Sequence, residues 1–98
     1  MYARIVQVPI RAESATDATD YYRNSVGPAF KQQEGFKNSR FLIDSANGKC
    51  LFVTLWESEE ARAKSENDGL LENTLANMKQ YFAGSPTVDY YEVVEEVA

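Results

Sequence analysis

A chain of 98 residues, 44% hydrophobic and 26% charged, is sized for one domain spanning 1–98, with a single core and no need of staples. Its net charge of −5 argues against a phosphate-binding surface, so no nucleic-acid partner is expected, and no apolar run approaches the ~18 residues of a membrane span. The lack of any histidine excludes Ser-His-Asp and Cys-His nucleophiles, histidine-held zinc and a proximal histidine on haem iron, so no metal site is expected and any chemistry must run on carboxylates, Tyr, Arg, Trp or a bound cofactor.

Tyr2 to Ile10 carries β-branched Ile5, Val6 and Val8 and reads as a first strand leaving through Pro9. Its opening Met1-Tyr2-Ala3-Arg4 lacks the apolar segment of a signal peptide, so the expected location is the cytoplasm. Ser14 to Asp17 has the form of a capping box, and Ala15, Ala18, Tyr22, Val26, Ala29 and Phe30 form one helical stripe. Gly27-Pro28 should kink that helix or start a new turn, and Gly35 is placed to end it.

Phe36–Asp44 and Lys49–Glu57 read as a hairpin around Asn47-Gly48, a dipeptide suited to the two φ > 0 positions of a type I′ turn. With Ala46 opposite Lys49, Ile43 would pair with Phe52, Phe41 with Thr54 and Ser39 with Trp56. The opposite face carries Leu42, Leu51, Val53 and Leu55, so both sides of the hairpin are apolar and both need a cover. Cys50 lies in the second strand, where a lone cysteine reads as a small buried hydrophobe and not as a reactive thiol.

Ser58 followed by Glu59-Glu60 gives an N-cap and an acidic first turn for a helix to about Glu66. Asp68 can cap a second piece with Leu71, Leu75, Met78 and Phe82 on one stripe, stopped by Gly84-Ser85-Pro86. Thr87 to Val97 reads as a fourth strand. The order is β-α-β-β-α-β, an α+β ferredoxin-like arrangement with a four-stranded antiparallel sheet and its helices on one face. A large apolar sheet face is left over, which predicts a homodimer through that face with a barrel-like centre.

Glu34-Gly35-Phe36, Ser39-Arg40 and the block Val53-Thr54-Leu55-Trp56-Glu57-Ser58-Glu59-Glu60-Ala61 resemble the antibiotic biosynthesis monooxygenase superfamily, whose members are dimeric α/β-barrels. The resemblance implies one of two chemistries. In haem-degrading members an Asn, a Trp and an iron-holding His fall, by ungapped matching, on Arg4, Ser65 and Thr74, which keep none of those residues. The other chemistry is cofactor-independent oxidation of an aromatic or quinone-like molecule, in which a protein group stabilises the substrate oxyanion.

Tyr22, Asn38, Arg40 and Trp56 are the pocket candidates, with Tyr21 beside them, although no catalytic set can be matched residue by residue. Trp56 can equally be a core anchor, Tyr22 plain packing, and Arg40 a strand-end salt bridge to Asp44 or Glu57. A non-catalytic small-ligand-binding or structural dimer is the alternative to an aromatic-oxidising enzyme.

Overall fold

The computed structural model describes residues 1–98. Four strands, β1 (Tyr2–Pro9), β2 (Phe36–Asp44), β3 (Lys49–Trp56) and β4 (Thr87–Glu92), form one antiparallel sheet in the order β2-β3-β1-β4. This is the expected α+β ferredoxin-like topology. The helices α1 (Ala15–Tyr21), α2 (Gly27–Lys31), α3 (Glu59–Asn67) and α4 (Leu70–Met78) supply its other layer.

Side chains alternate along each strand, so the pairing decides which residues face the helices. Val6 opposite Phe52, Val8 opposite Cys50 and Phe41 opposite Phe52 place one face of the sheet in the core. There they join Ala18, Tyr22, Val26 and Phe30 from the first helical segment and Met78 and Phe82 from the second. The other face carries Ile5, Leu51, Val53 and Leu55, partly exposed, with Leu42 and Tyr91 exposed beside them. The helix-facing side of the hairpin is therefore the Phe41, Ile43, Phe52, Trp56 side.

The hairpin departs from the expected register by two residues: Asp44 pairs with Lys49 and Phe41 with Phe52. Asn47 is not in the left-handed region, where Gly48 alone stands with φ +62°. The Asp44 carboxylate accepts from the Asn47 backbone N–H at 3.2 Å and from its side-chain amide at 2.8 Å. That Asx-type bond stabilises a four-residue connection, 45–48, over a two-residue type I′ turn. Because the shift is even, every side chain keeps its predicted face.

Three other expectations are corrected. Ser14 makes no capping bond; a 3-10 turn at Ala12–Ser14 precedes α1, and Ser14 is already in helical conformation. Asp68 does not cap α4 but closes α3 with its N–H on the Lys64 carbonyl, and Gly69 at φ +81° starts α4 without a side-chain cap. The last strand ends at Glu92, opposite Tyr2, short of the expected Val97, and the Val93 N–H donates to the Met1 carbonyl at 2.8 Å.

The Gly27-Pro28 break takes an unexpected form. Tyr22–Val26 winds as a π turn closed by the Gly27 N–H on the Tyr22 carbonyl, and Pro28 then lies in the first turn of α2. The chain stays helical through this point, and the π turn, which offsets the hydrogen-bond ladder just ahead of Pro28, is where the bond that proline cannot make is absorbed. Ser58 caps α3 as expected, accepting the Ala61 N–H at 3.1 Å above Glu59 and Glu60.

Candidate functional site

Even-numbered residues of β1 face the helices, and Arg4 falls among them between Tyr2 and Val6. Its side chain is 1% exposed, so a cation lies inside the core. The guanidinium carbon stands 5.3 Å from the Trp56 ring centroid and 5.6 Å from that of Phe30, a cation–π sandwich. Nη1 donates to the Ser65 hydroxyl at 3.0 Å and lies 3.5 Å from Glu66 Oε2. Nη2 has no hydrogen-bond partner, the one such buried side-chain atom in the chain.

Burial lowers the Arg4 pKa while Glu66 opposes the shift, and a guanidinium keeps its charge at neutral pH in either case. Burial also pushes the Glu66 carboxyl up, but hydrogen bonds from Tyr90 and Arg62 with the charges of Arg4 and Arg62 outweigh it, leaving the carboxyl below its ordinary value. Arg62 Nη1 reaches Glu66 at 2.8 Å and stacks 4.2 Å over the Tyr90 ring, whose hydroxyl also donates to Glu66. This network closes the seam between α3 and the β4 edge.

The remaining buried polar residues surround the same cation. Thr54 lies opposite Arg4 on β3, accepts the Trp56 indole N–H at 3.0 Å and donates to the Arg4 carbonyl at 3.5 Å. Thr74, 6% exposed, faces in from α4. Arg4, Thr54 and Thr74 border a void of about 10 Å³ with Phe30, Phe52 and Leu71, room for about one water-sized molecule. Arg4, Ser65 and Thr74 are the three positions that the resemblance matched to functional places in haem-degrading members. The fold gathers them, but as a guanidinium and two hydroxyls.

A second concavity, of about 430 Å³, opens at the surface between the π turn, α2 and the start of β2. Tyr22, Phe36, Asn38 and Ser39 line it. The Tyr22 hydroxyl meets the Ser39 hydroxyl, and burial pushes the Tyr22 phenol up to about 12. The Tyr22 ring stacks on Phe41 at 5.0 Å, which fixes it between cleft and core.

The four pocket candidates do not form one group. Tyr22 and Asn38 share the cleft; Trp56, fully buried, stands beside the Arg4 guanidinium and meets Phe30 and Phe36 in T-shaped contacts. Arg40 pairs with Val53 on the opposite face of the sheet and reaches neither concavity. The proposed Arg40 partner Asp44 is occupied by Asn47 and Lys49. Tyr21 packs on Tyr81 at the edge of the core. Arg4 was not among the candidates, although its inward position could be read from the alternation of Tyr2, Arg4, Val6 and Val8 against Ala3, Ile5 and Gln7.

No protein-family model matches the chain. Two uncharacterized proteins of Mycobacterium tuberculosis, Rv2557 and Rv2558, are 28% and 29% identical to it over 94 residues, or 95% of this chain. It spans 41% and 39% of their lengths, about two fifths. Three solved structures superimpose closely. An antibiotic biosynthesis monooxygenase has a TM-score of 0.75 at 17% identity, over 97% of this chain and 100% of that one. Rv0793 of Mycobacterium tuberculosis gives 0.76 at 11%, over 99% and 98%. The monooxygenase from the ActVA-Orf6 gene of Streptomyces coelicolor, solved with the ligand Nanaomycin D, gives 0.77 at 14%, over 99% and 90%. Across its whole length, this chain carries the α+β fold of the antibiotic biosynthesis monooxygenases.

Proposed function

We propose that this domain is a cofactor-independent monooxygenase acting on an aromatic or quinone-like molecule, and that Arg4 is the group that stabilises the substrate anion. The observation that carries this reading is the unpartnered Nη2 of a fully buried arginine, walled by aromatic rings, at a void between sheet and helices. A phenol or activated methylene placed there would ionise more readily, since a fixed cation in a dry site lowers the pKa of an adjacent acid. The resulting anion gives one electron to dioxygen. The two radicals recombine as a hydroperoxide, which releases water: a methylene becomes a carbonyl, with one O2 consumed and one H2O formed. Admission of a ring system requires Leu71 and Thr74 of α4 to move away from the sheet, and Gly69 supplies the turn about which α4 can shift. The Streptomyces coelicolor monooxygenase, with its bound Nanaomycin D, lends support through its fold.

The same proposal includes a homodimer in the cytoplasm, with the apolar outer face of the sheet covered by a second copy. Leu42 and Tyr91 on that face are 45% and 56% exposed in the single chain, beside partly exposed Ile5, Leu51, Val53 and Leu55. The lone, unpaired and buried Cys50 suits a reducing compartment. Oxygen uptake with anthrone- and quinol-type compounds tests the activity. Uptake above buffer that drops about a hundredfold or more in Arg4→Met, with the circular dichroism spectrum kept, is the expected result. No uptake, or uptake unchanged by the substitution, overturns it.

A second reading, ligand binding without turnover, is favoured by the lining of the void, which offers a guanidinium and hydroxyls but no histidine or carboxylate to take a proton from a substrate. It predicts a ligand that raises the melting temperature and is recovered unchanged.

A further inference from the structure

The surface cleft is a product of two backbone irregularities facing one another. On the helical side, the π turn at Tyr22–Val26 displaces the chain ahead of Pro28. On the sheet side, the ladder between β2 and β3 shifts between Phe36 and Asn38, which leaves Lys37 outside the register. Features of both kinds recur where a side chain or a ligand site has to be re-aimed.

The electrostatics of the cleft run against those of the chain. Three of the ten lysines and arginines, Arg23, Lys31 and Lys37, line it, and no carboxylate does, in a sequence with a net charge of −5. Arg23 is paired with Asp20 at 3.2 Å. Lys31 and Lys37 form no ion pair, and the nearby carboxylate of Glu34 is directed to Lys64 at 3.7 Å. Between these cations lie neutral polar groups on Asn38, Ser39 and Tyr22, and the Phe36 ring supplies an apolar wall. Phe36 is held against Phe30 at 6.1 Å and Trp56 at 5.5 Å, so the ring is a fixed surface and not a mobile one.

We propose that this cleft is a binding site for a small aromatic carboxylate. The volume of about 430 Å³ lies in the range of small-molecule sites. Two unpaired lysines supply the counter-charge, Asn38 and Ser39 can donate to a carboxylate oxygen, and the Phe36 ring gives a flat body a partner for stacking. The site is separate from the Arg4 chamber and needs no movement of α4. It is read by binding and not by oxygen uptake, so failure of either proposal leaves the other standing.

The probe is 2-naphthoate, titrated into the isotope-labelled protein and followed by amide chemical shifts, with uncharged 2-naphthamide and inorganic phosphate as comparison ligands. Saturable shifts concentrated in residues 22–39, weakened by added salt and weaker by about tenfold in the Lys31→Gln/Lys37→Gln variant, are the expected result. Both lysines are exposed, so that variant should fold as wild type does. Naphthamide binding as tightly as naphthoate would overturn the anionic part of the assignment, and phosphate binding as tightly would overturn the aromatic part. Shifts absent, or centred outside residues 22–39, would overturn the site itself.

Discussion

Arg4 and Trp56 hold one another through Thr54. The guanidinium carbon lies 5.3 Å from the indole centroid, while the Thr54 hydroxyl takes the indole N–H at 3.0 Å and donates to the Arg4 carbonyl at 3.5 Å. Trp56→Phe removes the hydrogen bond and weakens the cation–π contact in a fully buried site. It should cost about 2 kcal/mol of stability, read by urea denaturation. A loss within experimental error of zero would mean that the tryptophan fills space and no more.

Glu66 is the one carboxylate paired with the buried cation. Its pKa in the folded chain is held below the unfolded value, so its contribution is fully present above about pH 4.3 and is lost as the pH falls through the lower folded value. Glu66→Gln should therefore be less stable than wild type at neutral pH and should show a shallower loss on acidification. Parallel stability profiles for the two proteins across the acid range would contradict this.

Phe52 and Leu55 point to opposite faces of β3, which separates core from surface in one pair of variants. Phe52→Glu places an unpaired charge among Val6, Phe41 and Tyr22 and should unfold the chain, a loss above about 4 kcal/mol. Leu55→Glu should keep the circular dichroism spectrum and lower the sedimentation coefficient if the outer face joins two copies. A wild-type protein that sediments as a monomer at all concentrations would refute the dimer.

Gly35 and Gly69 share a φ of +81° but not an environment. A Cβ on Gly35 would meet the Ala61 Cβ of α3 at 2.5 Å, whereas one on Gly69 meets nothing within 4 Å. Gly35→Ala should thus cost more than about 2 kcal/mol and Gly69→Ala about 1 kcal/mol, the backbone cost alone. Thermal melts of the pair measure the difference, and equal losses would show that the β2–α3 approach relaxes freely.

The sheet and its two faces were legible because strand alternation survives an error of two residues. Asp44 lengthened the hairpin turn, yet Phe41, Ile43, Phe52 and Trp56 stayed together. Helix interruptions were less legible. Gly27-Pro28 announces a break, but the local sequence does not distinguish a kink from the π turn that forms at Tyr22–Val26. Of the site, Tyr22 and Trp56 could be found from the helical stripe and the strand end, and Asn38 reaches the cleft because of a bulge that the sequence does not mark. Alternation places Arg40 on the face with Leu42 and Val53, and because that face is the outer one Arg40 stands outside both concavities. Alternation along β1 turns Arg4 inward, but its burial is made by Ser65 and Glu66 of α3 and Thr74 of α4, which lie more than sixty residues away in the chain.

Trp56 is the sole tryptophan of the chain, fully shielded from solvent and directly beside a guanidinium. The protein thus contains its own optical reporter at the place where the proposed chemistry would occur. Any molecule that draws Arg4 away from the indole should change the intensity of its fluorescence, without the red shift that marks unfolding. A single emission spectrum can then distinguish occupancy of the chamber from loss of the fold.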